Sequence, residues 1–252
     1  MAAYYPASYP AYREPPAPIG WRARVGARID AARFSLTVRM AAFGQLVRHP
    51  PARLLDVGCG RGELASWFSQ RGWSVAGVEP SREACAQAAA VGIEAHCGTL
   101  DDAPWPVAAF DAITFNHSLE HIPDPEAALR QARELLAPGG LIVVSVPNFG
   151  CWQRRLFGSR WFHLDLPRHL QHFDRDSLAA MLQRAGLRPT RVRTTSSMAG
   201  LVGSLQYALS GRASLSDAAL FRLMHLTYPL VALADVFSQG DCLHVSAVAA
   251  QR

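Results

Sequence analysis

The sequence predicts an α/β fold, a doubly wound parallel sheet with helices on both faces, and three observations carry that prediction. Short apolar runs alternate with helical segments from Arg53 onward. Three glycines separate the first such run from the first helix. The stretch Leu141 to Val146 is continuously apolar, as a central strand buried on both faces must be.

Met1 to about Pro18 is rich in proline, which has no backbone donor to give a helix or sheet ladder, and residues 1–18 are read as a disordered arm. Residues 19–50 mix alanine, apolar residues and Arg22, Arg24, Arg28, Arg33, Arg39 and Arg48 at loosely helical spacing. One or two amphipathic helices are expected there, their arginines either facing water or belonging to a cap over a binding site. The regular pattern then runs strand (RLLDVG), helix (ELASWFSQRG), strand (SVAGVE), helix (SREACAQAAAVG), strand (IEAHCG) and linker. It continues as strand (FDAITFN), helix (DPEAALRQARELLAPGG) and strand (LIVVSVP), with Gly139 and Gly140 closing a helix that Pro138 cannot continue.

Beyond Pro147 a loop rich in aromatic residues, arginine and histidine interrupts the alternation. A helix is expected from about Asp174, with Asp176 and Ser177 as alternative caps, followed by a strand at LRPTRVRTT. Ser197 to Phe237 is largely apolar and predicted helical. Ala218 to Phe237 nearly reaches membrane-span length, but Arg222, His225, Pro229 and Asp235 interrupt it, so a lid or a peripheral membrane contact is the expectation. Cys242 to Ala249 alternates like a last strand.

The 252 residues are 50% hydrophobic and 18% charged, enough for one main domain with additions. The formal charge of +5 is carried by arginine alone, because the sequence contains no lysine. That excludes a phosphate-binding loop with its Gly-Lys, a Schiff-base lysine and the Tyr–Lys pair of short-chain dehydrogenases. Dispersed arginines read as a solvated surface, and no nucleic-acid partner is expected. Cys59, Cys85, Cys97, Cys151 and Cys242 form no C-x-x-C pair and are odd in number, so they read as buried thiols and not as a disulfide frame or zinc site. The N-terminus shows no secretory pattern, and a reducing cytoplasmic location is the default expectation.

The segment that carries chemistry is LLDVGCGRGELA, in which Asp56 ends a strand and Gly58, Gly60 and Gly62 follow at spacing two. A dinucleotide loop is normally G-x-G-x-x-G, so this G-x-G-x-G spacing points elsewhere. With DVGCGRG go an acidic end to the second strand at Glu79, GTLDDAPWP after the third, FDAITFNHSLEHIPDP around the fourth and LLAPGGLIVVSVPN at the fifth, then PRHLQHF before a helix. In this order, from about Arg53 to Arg193, they resemble the class I S-adenosylmethionine-dependent methyltransferases, particularly the group related to ubiquinone-biosynthesis O-methyltransferases.

That resemblance implies a Rossmann-like sheet of seven strands, the last antiparallel. It places a methyltransferase domain at residues 51–252 with a helical insertion at about 197–238. It also implies S-adenosylmethionine as cofactor, with Asp56, Gly58, Cys59, Gly60 and Gly62 at the methionine end and Glu79, followed by Pro80, receiving the ribose hydroxyls. Thr99, Leu100 and Asp101 would lie along the adenine, and Asn116, His117 and Ser118 would follow the fourth strand at the switch point of the sheet. Relatives often carry an acid where Thr99 stands, which leaves open the side chain that reads the adenine. The plain alternative for Asp101 and Asp102 is a solvated turn before Pro104.

Methyl transfer needs an acceptor atom in line with the methyl and sulfur, and a base when the acceptor carries a proton. His117, His121, His169 and His172 are the candidate bases, each with the alternative of a structural hydrogen-bonding histidine. His163, Asp165, His169 and His172 invite a metal reading, as do Glu120 and His121, but they match no established zinc spacing and no metal is assigned. Trp152, Phe157, Trp161 and Phe162 are either an apolar acceptor site or plain core, and Arg154, Arg155 and Arg168 would suit an anionic group on the acceptor. The reading is transfer to a small-molecule oxygen, the acceptor having an aromatic or lipid-like part. The alternatives are a non-catalytic nucleoside-binding scaffold and a methyltransferase acting on protein or RNA.

Overall fold

The computed structural model describes Val38, residues 42–211, Val231 and residues 233–250. The arm expected at 1–18, most of the helical cap expected at 19–50, and the middle of the apolar segment at 197–238 lie outside the described residues. Seven strands form one sheet: β1 (Arg53–Val57), β2 (Ser74–Val78), β3 (Glu94–His96), β4 (Phe110–Asn116), β5 (Leu136–Pro147), β6 (Leu187–Thr195) and β7 (Cys242–Ala249). Their order is β3-β2-β1-β4-β5-β7-β6. β1 pairs in parallel with β2 and β4, and β2 with β3. β6 and β7 pair antiparallel, as the resemblance implied.

The helices are α1 (Glu63–Ser69), α2 (Arg82–Ala90), α3 (Pro125–Leu135), α4 (Trp152–Phe157), α5 (Arg175–Arg184) and α6 (Met198–Ser210). The chain divides into two compact units, Met1–Asn116 with Glu134–Val143, and His117–Arg133 with Val144–Arg252.

In the first unit Phe68, Trp67 and Trp73 pack edge to face, with Phe68 and Trp73 centroids 5.6 Å apart. Val38, Phe43 and Leu46, the described end of the N-terminal segment, are buried in that same core. Gly77 in β2 is dictated by this packing. A Cβ there would lie 2.5 Å from the Cys59 sulfur, closer than real side chains approach.

In the second unit β6 carries Pro189 at a register shift between Pro189 and Arg191, where a missing donor does least harm to the ladder. Two buried polar groups there, His244 and Asp241, are fully engaged. His244 on β7 meets Ser145 Oγ at 2.9 Å through Nδ1 and Thr195 Oγ1 at 2.7 Å through Nε2, and burial pushes its pKa down to about 3. Asp241, fully buried, accepts the Ser197 backbone N–H at 2.6 Å, the Ser197 hydroxyl at 2.7 Å and His163 Nε2 at 3.1 Å. It thereby holds the residue that caps α6.

Asp174 caps α5 through a reciprocal pair with Ser177, the first of the three expected caps. Three expectations are corrected. α3 ends at Leu135 and β5 begins at Leu136, so Gly139 and Gly140 do not close the helix. Pro138 disfavours helical geometry at Ala137, which stops the helix before it reaches the glycines. The loop expected after Pro147 contains α4 and two 3-10 turns, Gly158–Arg160 and Phe162–Leu164. Finally, Cys85 and Cys97 form a disulfide with Cα atoms 5.6 Å apart, while Cys59, Cys151 and Cys242 are buried free thiols. Packing of α2 beside β3 brings together two cysteines whose separation in sequence gave no signal.

Candidate active site

In the first unit the turn after β1 is shaped by glycine. Gly58, Gly60 and Gly62 have φ of 75°, 54° and 81°, a region that costs side-chain-bearing residues energy. The Gly58 and Cys59 amides donate to Val78 O at 2.8 and 3.1 Å, which folds the turn over the end of β2. Gly62 caps α1, and a Cβ there would meet Ile93 at 3.3 Å and Ala88 at 3.4 Å. At Gly60 nothing lies within 4 Å of where a Cβ would stand, so the turn presents bare backbone to open space.

Glu79, only 5% exposed, is tied to this turn: Oε2 accepts the Gly60 N–H at 2.9 Å and Oε1 accepts the Ser81 N–H at 2.8 Å. Asp56, 2% exposed, accepts the Thr114 hydroxyl at 2.7 Å. Burial raises its pKa to about 6, Thr114 opposes the rise and the Glu79 charge adds to it. Burial and the same two carboxylates push the Cys59 thiol up, which keeps it a neutral packing group.

Leu100–Asp102 forms a 3-10 turn. Asp102 Oδ1 accepts the Thr99 N–H at 2.8 Å and lies 3.0 Å from His96 Nε2, and the His96 contact holds its pKa below the usual value. Asp102 therefore caps the turn, Leu100 is buried, and Asp101 is exposed. Pro80 is exposed between Glu79 and Ser81, and Asn116 is half-buried at the end of β4.

The second unit holds all four candidate bases. His117, with φ of 53°, donates its backbone N–H to Ser145 O at 2.8 Å, and Ser118 beside it is buried. The His117 side chain is 43% exposed, with Nδ1 3.4 Å from Oε1 of Glu120, whose side chain is 1% exposed. Desolvation works against the His117 charge, but the Glu120 carboxylate outweighs it and the pKa stands above the ordinary value. Burial likewise works against the Glu120 charge, and the surrounding imidazoles His117, His121 and His169 hold its pKa down.

The other three histidines are anchored on backbone carbonyls: His121 Nδ1 on Arg168 O at 3.0 Å, His169 Nδ1 on His163 O at 2.8 Å, and His172 Nε2 on Leu164 O at 3.0 Å. A carbonyl only accepts, so the contacting nitrogen carries the proton in each ring. Glu120, His121 and His169 bring a carboxylate oxygen and two ring nitrogens within 4.8 Å of one another, a spacing a divalent ion could bridge.

The residues considered for the acceptor are largely committed to structure. Trp161 is fully buried core, Arg168 pairs with Asp165 through two nitrogens, Arg155 donates to Gly150 O at 2.8 Å, and Arg154 lies over the Phe149 ring at 4.5 Å. The sequence reading missed Thr114, Ser81 and Asp241. A single threonine in the apolar run FDAITFN was the available signal for the first and a serine opening the helix SREACAQAAAVG for the second; no local signal marks Asp241.

A family model described as a methyltransferase domain matches residues 28–192. The chain belongs to the methyltransferase family. Its match to a ubiquinone biosynthesis O-methyltransferase of Chromobacterium violaceum is 33% identical over 149 residues, covering 54% of this chain and 64% of that protein. A protein of the same description from Cereibacter sphaeroides is 31% identical over 149 residues, covering 54% and 60%. The chain thus spans less than two thirds of the length of either relative.

Among solved structures, a possible histamine N-methyltransferase from Thermotoga maritima covers 86% of this chain and 94% of its own, with TM-score 0.56 and 19% identity. The [4+2]-cyclase SpnF covers 87% and 82%, with TM-score 0.58 and 22% identity. These likenesses show the Rossmann-like fold of class I S-adenosylmethionine-dependent methyltransferases; the cyclase makes plain that fold alone does not select a reaction. Among the described residues no helix is long and apolar enough to cross a membrane.

Proposed function

We propose that this chain transfers the methyl group of S-adenosylmethionine to an oxygen of a small-molecule acceptor. The observation that carries the reading is the glycine turn tied to the buried Glu79 carboxylate, the donor set an amino-acid-bearing nucleoside requires. The cofactor supplies an electrophilic methyl on a sulfonium. Gly58, Cys59, Gly60 and Gly62 offer bare backbone to its methionine end, Asp56 accepts from its ammonium directly or through water, and Glu79 with Pro80 beside it receives the ribose hydroxyls. The Thr99–Leu100–Asp101 turn lies along the adenine, its shape maintained by Asp102, with Asn116 and Ser118 at the strand end. Transfer to oxygen rests on the relatives named O-methyltransferases.

His117 takes the acceptor proton, and Glu120 orients it. What supports His117 over His121, His169 and His172 is its exposed ring backed by a buried carboxylate, the other three being fixed to carbonyls. The acceptor is expected to carry an aromatic or lipid-like part.

The test is calorimetric titration with S-adenosylmethionine and its demethylated product, with NAD as control. Micromolar binding of the first two without NAD is expected. Silence from all three would replace this reading with a scaffold protein.

A further inference from the structure

Glu79 is held between two segments of the first unit. Its backbone N–H donates to His96 O at 3.0 Å, and its carbonyl accepts the Gly98 N–H at 3.2 Å. Cys97 is the residue between those two partners. On the other side, the Ser81 N–H donates to the Glu79 carboxylate, and Ser81 caps α2. Cys85 lies in the first turns of that helix. The Cys85–Cys97 bond therefore joins the two segments that grip Glu79. Cys97 also directly precedes Gly98 and the Thr99–Asp102 turn.

The two sulfurs differ in access. Cys85 is 1% exposed, whereas Cys97 is exposed. The free thiols of Cys59, Cys151 and Cys242 are all buried, so among the described residues an external thiolate meets Cys97 first.

We propose that the Cys85–Cys97 disulfide is a thiol-operated control on cofactor affinity; this rests on the reading above in which Glu79 and the Thr99–Asp101 turn hold the cofactor. A dithiol reductant attacks the Cys97 sulfur, the bond breaks, and the electron pair leaves on Cys85, which takes a proton. The second reductant thiolate then attacks its own partner in the mixed disulfide and releases Cys97. The protein disulfide gains two electrons and two protons, and the dithiol becomes a cyclic disulfide. Cleavage frees α2 from the His96–Gly98 segment, so the oxidised form binds the cofactor more tightly. By linkage, bound cofactor favours the disulfide by the same factor.

The experiment counts thiols in denatured, air-oxidised protein, and measures affinity for S-adenosylhomocysteine before and after dithiothreitol. Three thiols before reduction and five after are expected, with affinity about tenfold weaker in the reduced form. Cys97→Ser, an exposed substitution that leaves the core untouched, should bind like the reduced protein and ignore dithiothreitol. Five thiols after incubation with oxidised glutathione, or equal affinity in both redox forms, would overturn the proposal. Binding by neither form would overturn the cofactor reading and this inference with it.

Discussion

The Gly60 amide donates to the Glu79 carboxylate at 2.9 Å, joining the turn after β1 to the end of β2. One buried side chain thus shapes the glycine turn and, through the Ser81 N–H, the start of α2. Glu79→Ala removes both contacts, and cofactor affinity should fall by about 2 kcal/mol or more, the cost of losing a charged hydrogen bond. Titration calorimetry beside a thermal melt checks this. A lowered melting temperature with unchanged affinity would make Glu79 a purely structural residue.

Asp56 predicts a pH dependence. Burial raises its pKa to about 6, so in the unliganded protein it becomes protonated as pH falls through that value. A protonated carboxyl no longer pairs with an ammonium, so affinity should be flat above about pH 7 and fall below pH 6, by at most about tenfold per unit. Asp56→Asn should bind weakly and without that pH dependence. A wild-type affinity unchanged from pH 5 to 7.5 would remove Asp56 from the ammonium site.

Gly77→Ala places a Cβ 2.5 Å from the Cys59 sulfur and 2.9 Å from its Cβ. The expected loss of stability is about 1–3 kcal/mol, as for other overpacked cores, measured by chemical denaturation. Because Cys59 lies inside the glycine turn, cofactor affinity should fall as well.

His117→Gln removes the proposed base while keeping a polar side chain. With a protonated oxygen acceptor, kcat should fall about 10²- to 10⁴-fold while affinity for S-adenosylhomocysteine is unchanged. Glu120→Gln, which keeps the shape and removes the charge, should lower kcat less and leave cofactor binding intact. An undiminished kcat in His117→Gln would return the role to another histidine or to an acceptor that needs no base.

The sheet was readable because its determinants are local. The strand FDAITFN is β4 to the residue, and Asp174 announces α5 by a cap that acts over three positions. The glycine turn was readable for the same reason, since left-handed backbone at Gly58, Gly60 and Gly62 selects for glycine wherever it occurs. Pro138 misled the reading, because its effect on the preceding residue ends α3 earlier than the glycine pair suggested.

The sequence by itself determined the alternation of strands and helices, the glycine turn, the acidic end of β2 and the set of histidines after β4 and β5. Tertiary structure alone decided which of those groups meet. Thr114 reaches Asp56 only because β1 and β4 are neighbours in register, and Cys85 reaches Cys97 only because α2 lies beside β3. His117 differs from the carbonyl-bound histidines by pairing with Glu120, and Asp241 holds Ser197, the cap of α6, which lies 44 residues before it in sequence. Local backbone preference is written in neighbouring residues. Burial, pairing and the pKa shifts that follow depend on distant segments brought together by packing.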